Sequence, residues 1–160
     1  MEGLKSMDII IKKAVLNDLE YILMLNHQLF ELENKNFDST LNVGWSYSNK
    51  GLEYFKDLLD KEQILIAISN DKIIGYLAWS IDTESSYIIR PYAELDNICV
   101  LEEYRKCGIG TKLINELKMI CQTKGINEIK VKAYAKNIDA IRFYMKNNFK
   151  DFEMILKVDI

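Results

Sequence analysis

A chain of 160 residues, 49% hydrophobic and 28% charged, is long enough for one sizeable core and too short for two. The composition is that of a folded globular domain rather than a disordered or fibrous chain, and no apolar run approaches the roughly 18 residues of a membrane span. The net charge of -3 argues against nonspecific nucleic-acid binding, which depends on basic surface, and leaves room for a cationic substrate.

The N-terminus, Met1 to Met7, lacks the basic-then-apolar order of a signal peptide, which points to the cytoplasm. The second methionine, Met7, leaves open an extension over residues 1–6. Ile9-Ile10-Ile11 reads as a first strand. Leu19, Ile22, Leu23, Leu25, Leu29 and Phe30 recur at helical spacing, predicting a helix from Asn17 to about Glu33 with Asn17 or Asp18 as its cap. A polar stretch, Asn34 to Lys50, carries Phe37, Val43, Trp45 and Tyr47, and a second helix spans Leu52 to Leu59. The period then changes. Ile64 to Ile68 and Ile73 to Ile81 read as an antiparallel hairpin turned by Asn70-Asp71. A loop covers Glu84 to Pro91, and Ala93 to Val100 is a further strand. Leu113 to Cys121 is helical with Gly125 at the C-terminal cap position, Ile129 to Ala133 is strand, Ala140 to Asn147 is helix, and Phe152 to Val158 is a last strand. The order β-α-α-β-β-β-α-β-α-β defines a mixed α/β fold in a single domain over residues 1–160.

The junction after Val100 carries chemistry. A strand ends, a short turn follows, and Gly108 and Gly110 open an amphipathic helix. The first backbone N–H groups of a helix lack internal partners and carry the positive end of its dipole, so an anion such as a diphosphate fits there. The glycines let oxygens approach closely, Arg105 and Lys106 add charge, and Thr111 adds a hydroxyl. A Walker loop is excluded by the glycine spacing and by Thr111-Lys112 after Gly110. A dinucleotide fingerprint is excluded by Leu113 at its third glycine position. By themselves the paired glycines also fit a plain helix-start loop.

Val100 to Thr111, through Arg105-Lys106-Cys107-Gly108-Ile109-Gly110, resembles the acetyl-CoA-binding segment of the GNAT superfamily of N-acyltransferases, [RQ]-x-x-G-x-[GA]. Downstream, Asn137-Ile138-Asp139-Ala140-Ile141-Arg142-Phe143-Tyr144 with Asn147-Asn148-Phe149 resembles the family's N-x-x-A-x-x-F-Y-x-x-x-G-F. Asn148 replaces the usual glycine, and asparagine tolerates the left-handed backbone such a helix end uses. The resemblance implies a mostly antiparallel mixed sheet with a splayed central strand pair and flanking helices. It implies acetyl-CoA as co-substrate, with no metal, and direct transfer in a ternary complex to a primary amine of a small molecule or protein. A noncatalytic acyl-CoA-binding regulatory domain is the alternative on the same fold, and dimers are common among relatives.

The same resemblance assigns cofactor binding to Arg105, Lys106, Cys107, Gly108, Ile109, Gly110 and Thr111. It adds the backbone of Ile98, Cys99 and Val100 for the pantetheine arm and Asn137 for the pantetheine or diphosphate region. Tyr144 is the candidate acid for the departing sulfur, with an aromatic core role as the other reading of Phe143-Tyr144. Glu94 is the candidate base, Asp96 shares its strand parity, and an ordered water chain does this work in many relatives. With one histidine and three cysteines at spacings foreign to zinc sites, no metal cage is expected. His27 reads as packing or surface, Cys99 as a buried strand residue and Cys107 as a variable motif position. Phe37, Trp45 and Tyr47 either line an acceptor pocket or pin a long loop.

Overall fold

Strands whose residues are apolar at every position need cover on both faces, and the centre of this chain meets that demand. In the computed structural model, which describes residues 7–82 and 87–160, β1 (Ile10–Lys13), β2 (Ile64–Ser69), β3 (Lys72–Asp82), β4 (Tyr92–Val100) and β5 (Ile129–Val131) form one sheet in the order β1-β2-β3-β4-β5. Ile64, Leu65, Ile66 and Ala67 in β2 and Ile74, Leu77, Ala78 and Trp79 in β3 are all buried. The Asn70-Asp71 turn has both residues left-handed, at φ 48° and 59°, as a two-residue hairpin requires.

The helices α1 (Leu19–Asn36), α2 (Asn49–Asp60), α3 (Ile109–Thr123) and α4 (Ile138–Lys146) flank the sheet. On one face, Asn26 of α1 donates to Tyr76 of β3 at 3.0 Å and Tyr54 of α2 donates to Asp96 of β4 at 2.6 Å. α3 packs against β1 through β4 with Ile109, Leu113, Ile114, Leu117 and Cys121 buried at its helical spacing. Gly125 adopts φ 70° and ends the helix as expected, the N–H of Ile126 reaching the carbonyl of Cys121 at 2.9 Å. No helix among the described residues is long and apolar enough to cross a membrane.

Four details depart from expectation. The first strand runs Ile10–Lys13 rather than Ile9–Ile11, because its register is set by pairing Ile10 with Ile68 and Lys13 with Leu65. Asp18 precedes α1, but its carboxylate accepts the N–H of Val15 at 2.8 Å instead of capping the helix. α2 begins earlier than Leu52 because Ser48 caps it, its hydroxyl accepting the N–H of Gly51 at 3.1 Å. Phe152 to Val158 joins no strand ladder among the described residues, and its side chains are exposed. Residues 1–6 and residues 84–86 of the Glu84 to Pro91 loop lie outside the described residues.

Candidate functional site

The site begins with a flaw in a strand. Ala78 pairs with Asn97 and Trp79 with Leu95, so Asp96 is an extra residue in β4. Such a bulge kinks the strand and re-aims its side chains. Asp96 and Asn97 consequently both serve the α1/α2 side. Asp96 accepts from Tyr54 at 2.6 Å and from Ser80 at 2.8 Å. Asn97 accepts from Tyr76 and offers its amide to Tyr54 at 3.4 Å. Beyond the bulge the sheet splits, since β5 pairs in parallel with Ala93, Glu94 and Leu95 and with nothing further along β4.

The open edge therefore runs from the bulge to Val100. Leu101 donates its N–H to Ile74 of β3 at 2.9 Å. By strand alternation Cys99 also turns its backbone to β3, leaving Ile98 and Val100 to face the opening. Of the three residues assigned to the pantetheine arm, two present backbone groups to that gap. Arg105 is drawn into the same edge, its Nε donating to the Val100 carbonyl at 2.9 Å.

The turn that follows has a backbone that can receive an anion. Lys106 at φ 60° and Gly108 at φ 79° are left-handed, a backbone form that points successive N–H groups to one side. Among the described residues, no backbone or side-chain acceptor takes the N–H groups of Lys106 through Thr111; regular helical bonding starts with Lys112 to Gly108 at 3.0 Å. A Cβ on Gly108 would meet open space, whereas one on Gly110 would lie 2.7 Å from the Phe143 ring. Gly108 thus serves the positive φ, and Gly110 lets α3 and α4 close. This run of free donors beside Arg105 and Lys106 fits the diphosphate of a CoA ester.

Across the gap stands α4. Asn137 caps it by accepting the N–H of Ala140 at 3.1 Å, so its side-chain oxygen is occupied and its amide nitrogen is the group left for a ligand. Tyr144 packs against Phe143 and Phe149 at ring distances of 5.3 and 5.5 Å. Burial first, and then the charge of Glu33, raise its phenol above the ordinary tyrosine value, so it holds its proton at neutral pH. Asn148 sits at φ 70°, the left-handed end expected of it.

Three carboxylates on β4 and α1 are candidates for handling a proton or an amine. Glu94 is engaged by Lys132 at 3.2 Å. Asp96 is bound by its two hydroxyl donors, and burial raises its carboxyl above the ordinary range. It also lines a cleft of about 380 Å³ with Tyr54, Asp57, Leu58, Lys61, Gln63, Ser80 and Ile81. Glu33 is the residue that sequence reasoning missed. It lies seven residues after Asn26 and four before Phe37, hence on the same stripe of α1. Asn26 reaches β3, and Phe37 stacks on Tyr134 beyond β5 at 5.6 Å. Glu33 is half-buried and raised by that burial, and its charge acts on Tyr76, Cys99, Tyr134 and Tyr144. No hydrogen bond or ion pair engages its carboxylate among the described residues.

The remaining candidates divide clearly. His27 contacts the Val43 carbonyl at 2.9 Å and Tyr47 at 5.5 Å, and so holds the loop after α1. Trp45 is packed among Phe30, Tyr54 and Phe55, at 5.9, 5.3 and 6.1 Å, which makes it a pin. Phe37 instead stands near the opening. Cys99 is buried, and burial pushes its thiol up to about 11, a poor nucleophile. Cys107 is exposed, within 3.5 Å of the Arg105 carbonyl.

A split sheet whose open strand leads into a glycine-rich helix head is the frame of this α/β fold. The family model described as Acetyltransferase (GNAT) family matches residues 26–149, and the chain belongs to that family. It is 30% identical over 104 residues to an uncharacterized N-acetyltransferase of Methanocaldococcus jannaschii, covering 64% of this chain and 46% of that protein. It is 32% identical over 110 residues to N-alpha-acetyltransferase 50 of Danio rerio, covering 68% and 62%. The chain thus spans about half to three fifths of the length of these relatives. Among solved structures, the BH1408 protein of Bacillus halodurans superposes with a TM-score of 0.80 at 19% identity, over 94% of this chain and 99% of that one. The aminoglycoside N-acetyltransferase AAC(6')-Iy in complex with CoA superposes with a TM-score of 0.74 at 20% identity, over 96% and 95%. These two likenesses establish the shared fold.

Proposed function

We propose that the protein transfers an acetyl group from acetyl-CoA to a primary amine within a ternary complex. The observation that carries this reading is the run of unpartnered N–H groups from Lys106 to Thr111, continuous with the open edge of β4. Arg105, Lys106, Cys107, Gly108, Ile109, Gly110 and Thr111 hold the diphosphate. Ile98 and Val100 offer backbone groups to the pantetheine arm and to the thioester oxygen, a donor placement that stabilises a developing oxyanion. Asn137 contributes its amide nitrogen to the cofactor's polar middle.

Glu33 selects the acceptor. A half-buried carboxylate without a partner, facing the split, favours an ammonium group and holds the amine against the thioester carbonyl. The amine must lose a proton before it attacks. Asp96 takes that proton through water, because burial raises its proton affinity while Lys132 engages Glu94. As the tetrahedral intermediate collapses, Tyr144 donates a hydrogen bond to the departing sulfur. A phenol is a weaker acid than a thiol, so stabilisation of the thiolate by this bond, rather than complete proton transfer, is the step it serves.

The test is incubation with acetyl-CoA and a panel of small polyamines, aminoglycosides, amino acids and peptides, read by mass spectrometry. The reading expects acetylated amine and CoA in equal amounts. Binding of acetyl-CoA with no acceptor modified would favour a noncatalytic acyl-CoA-binding domain instead.

A further inference from the structure

Asp96 is half-buried and lines a cleft of about 380 Å³, yet the protein grips both of its oxygens. Tyr54 of α2 donates to Oδ2 at 2.6 Å, and Ser80 of β3 donates to Oδ1 at 2.8 Å. Behind Tyr54 the donations continue in one direction. Asn26 of α1 donates to the Tyr76 hydroxyl at 3.0 Å, and Tyr76 donates to the side-chain carbonyl of Asn97. The Asn97 amide in turn reaches the Tyr54 hydroxyl at 3.4 Å. Each phenol has one proton to give; that of Tyr76 goes to Asn97 and that of Tyr54 to Asp96. A chain drawn from α1, β3, β4 and α2 thus ends on a single carboxylate.

The influences on that carboxylate oppose one another. Burial is the largest and raises its proton affinity, while the bonds from Tyr54 and Ser80 lower it. Glu94 on the same strand disfavours the ionised form, and Lys132 beyond β5 favours it. Asp57 and Lys61 of α2 line the same cleft but pair with each other at 2.7 Å. Glu33 of α1 acts on Tyr76. Neither phenol ionises in competition, because burial raises both above the ordinary tyrosine value.

We propose that Tyr54 and Ser80 are positioning residues that fix the Asp96 carboxylate and keep it ionised, with Tyr76 and Asn97 orienting Tyr54 from behind. The consequence for turnover rests on the reading of Asp96 as the base. An ionised carboxylate accepts a hydrogen bond more strongly than a neutral one, so each hydroxyl favours the charged form. Burial makes the base strong, and the two hydroxyls keep it from taking a proton out of solvent before the amine arrives.

Tyr54→Phe removes one donor and keeps the ring that packs on Trp45 and Phe55 at 5.3 and 4.9 Å. Ser80→Ala removes the other donor from a different element. Carbon-13 NMR titration of the Asp96 carboxyl, assigned with Asp96→Asn, reads the effect without reference to activity. In both variants Asp96 should titrate at higher pH than in the parent. Tyr76→Phe should move it the same way by less. On the acid side of the pH profile, kcat/KM for an acetylated amine should be about tenfold lower in Tyr54→Phe, the scale of one hydrogen bond to a charged group, and should recover as pH rises. A tie that only pins α2 to the sheet would lower the melting temperature and leave the titration alone. An unchanged Asp96 titration in both folded variants would therefore overturn the proposal. A titration that shifts while the acidic limb stays in place would uphold the role of Tyr54 and Ser80 and remove Asp96 as the base.

Discussion

Tyr144 and Glu33 show how one environment sets two different roles. Burial disfavours the charged form of each, and the charge of Glu33 acts on Tyr144. For the phenol this preserves a donor; for the carboxylate it is a cost accepted in the absence of a cation. Tyr144→Phe should lower kcat by about 100-fold, the scale of a lost acid–base contact, with the dissociation constant of acetyl-CoA nearly unchanged by calorimetry. Glu33→Gln should raise the KM for amine while stabilising the fold. The sign follows from linkage. A carboxyl raised in the folded state binds protons more tightly there than when unfolded, so it penalises folding once pH exceeds both values. The variant should therefore melt higher than the parent at neutral pH, and the difference should vanish as pH falls below the ordinary carboxylate range. Asp96→Asn should shift or remove the acidic limb of the kcat/KM profile, whereas Glu94→Gln should leave that limb in place. Glu33 is not legible from helical periodicity, which apolar residues alone define. Its signal was a polar residue at a stripe position, seven after Asn26.

Among the elements, the junction of β4 with α3 was the most legible. Glycine spacing, a preceding strand and a following amphipathic helix all depend on neighbours in sequence, and the structure bears out each one. The split itself was expected from family resemblance only. Its cause, the bulge at Asp96, is a matter of pairing between β3 and β4 that no local pattern announces. The roles of the two glycines separate here. Gly110→Ala would set a Cβ 2.7 Å from the end of the Phe143 ring, so that ring must shift, at a cost of up to about 3 kcal/mol; Tyr144, whose ring lies 5.3 Å from it, should be disturbed with it and kcat reduced. Leu113→Ala, at a fully buried position of α3, should cost about 2–5 kcal/mol in chemical denaturation and act on stability first.

At the scale of the whole molecule, the α/β class and single sheet followed from alternating periods along the chain. The last strand did not follow, although Phe152 to Val158 has a stronger strand pattern than β5. Period-2 alternation states that a segment has one apolar face; it does not supply the edge on which a strand must pair. The carboxylate proposed to meet the acceptor, Glu33, is similarly hidden, because it lies on a helix stripe and not in a turn with glycine spacing of its own. The proposed donor site rests on the path from the open edge of β4 to the head of α3. Thiol release on mixing the protein with acetyl-CoA, with and without amine, examines that path most directly. Saturable, amine-dependent release of CoA, abolished by charge reversal at Arg105 and Lys106, is the predicted result. Release that ignores both the amine and these two residues would contradict it.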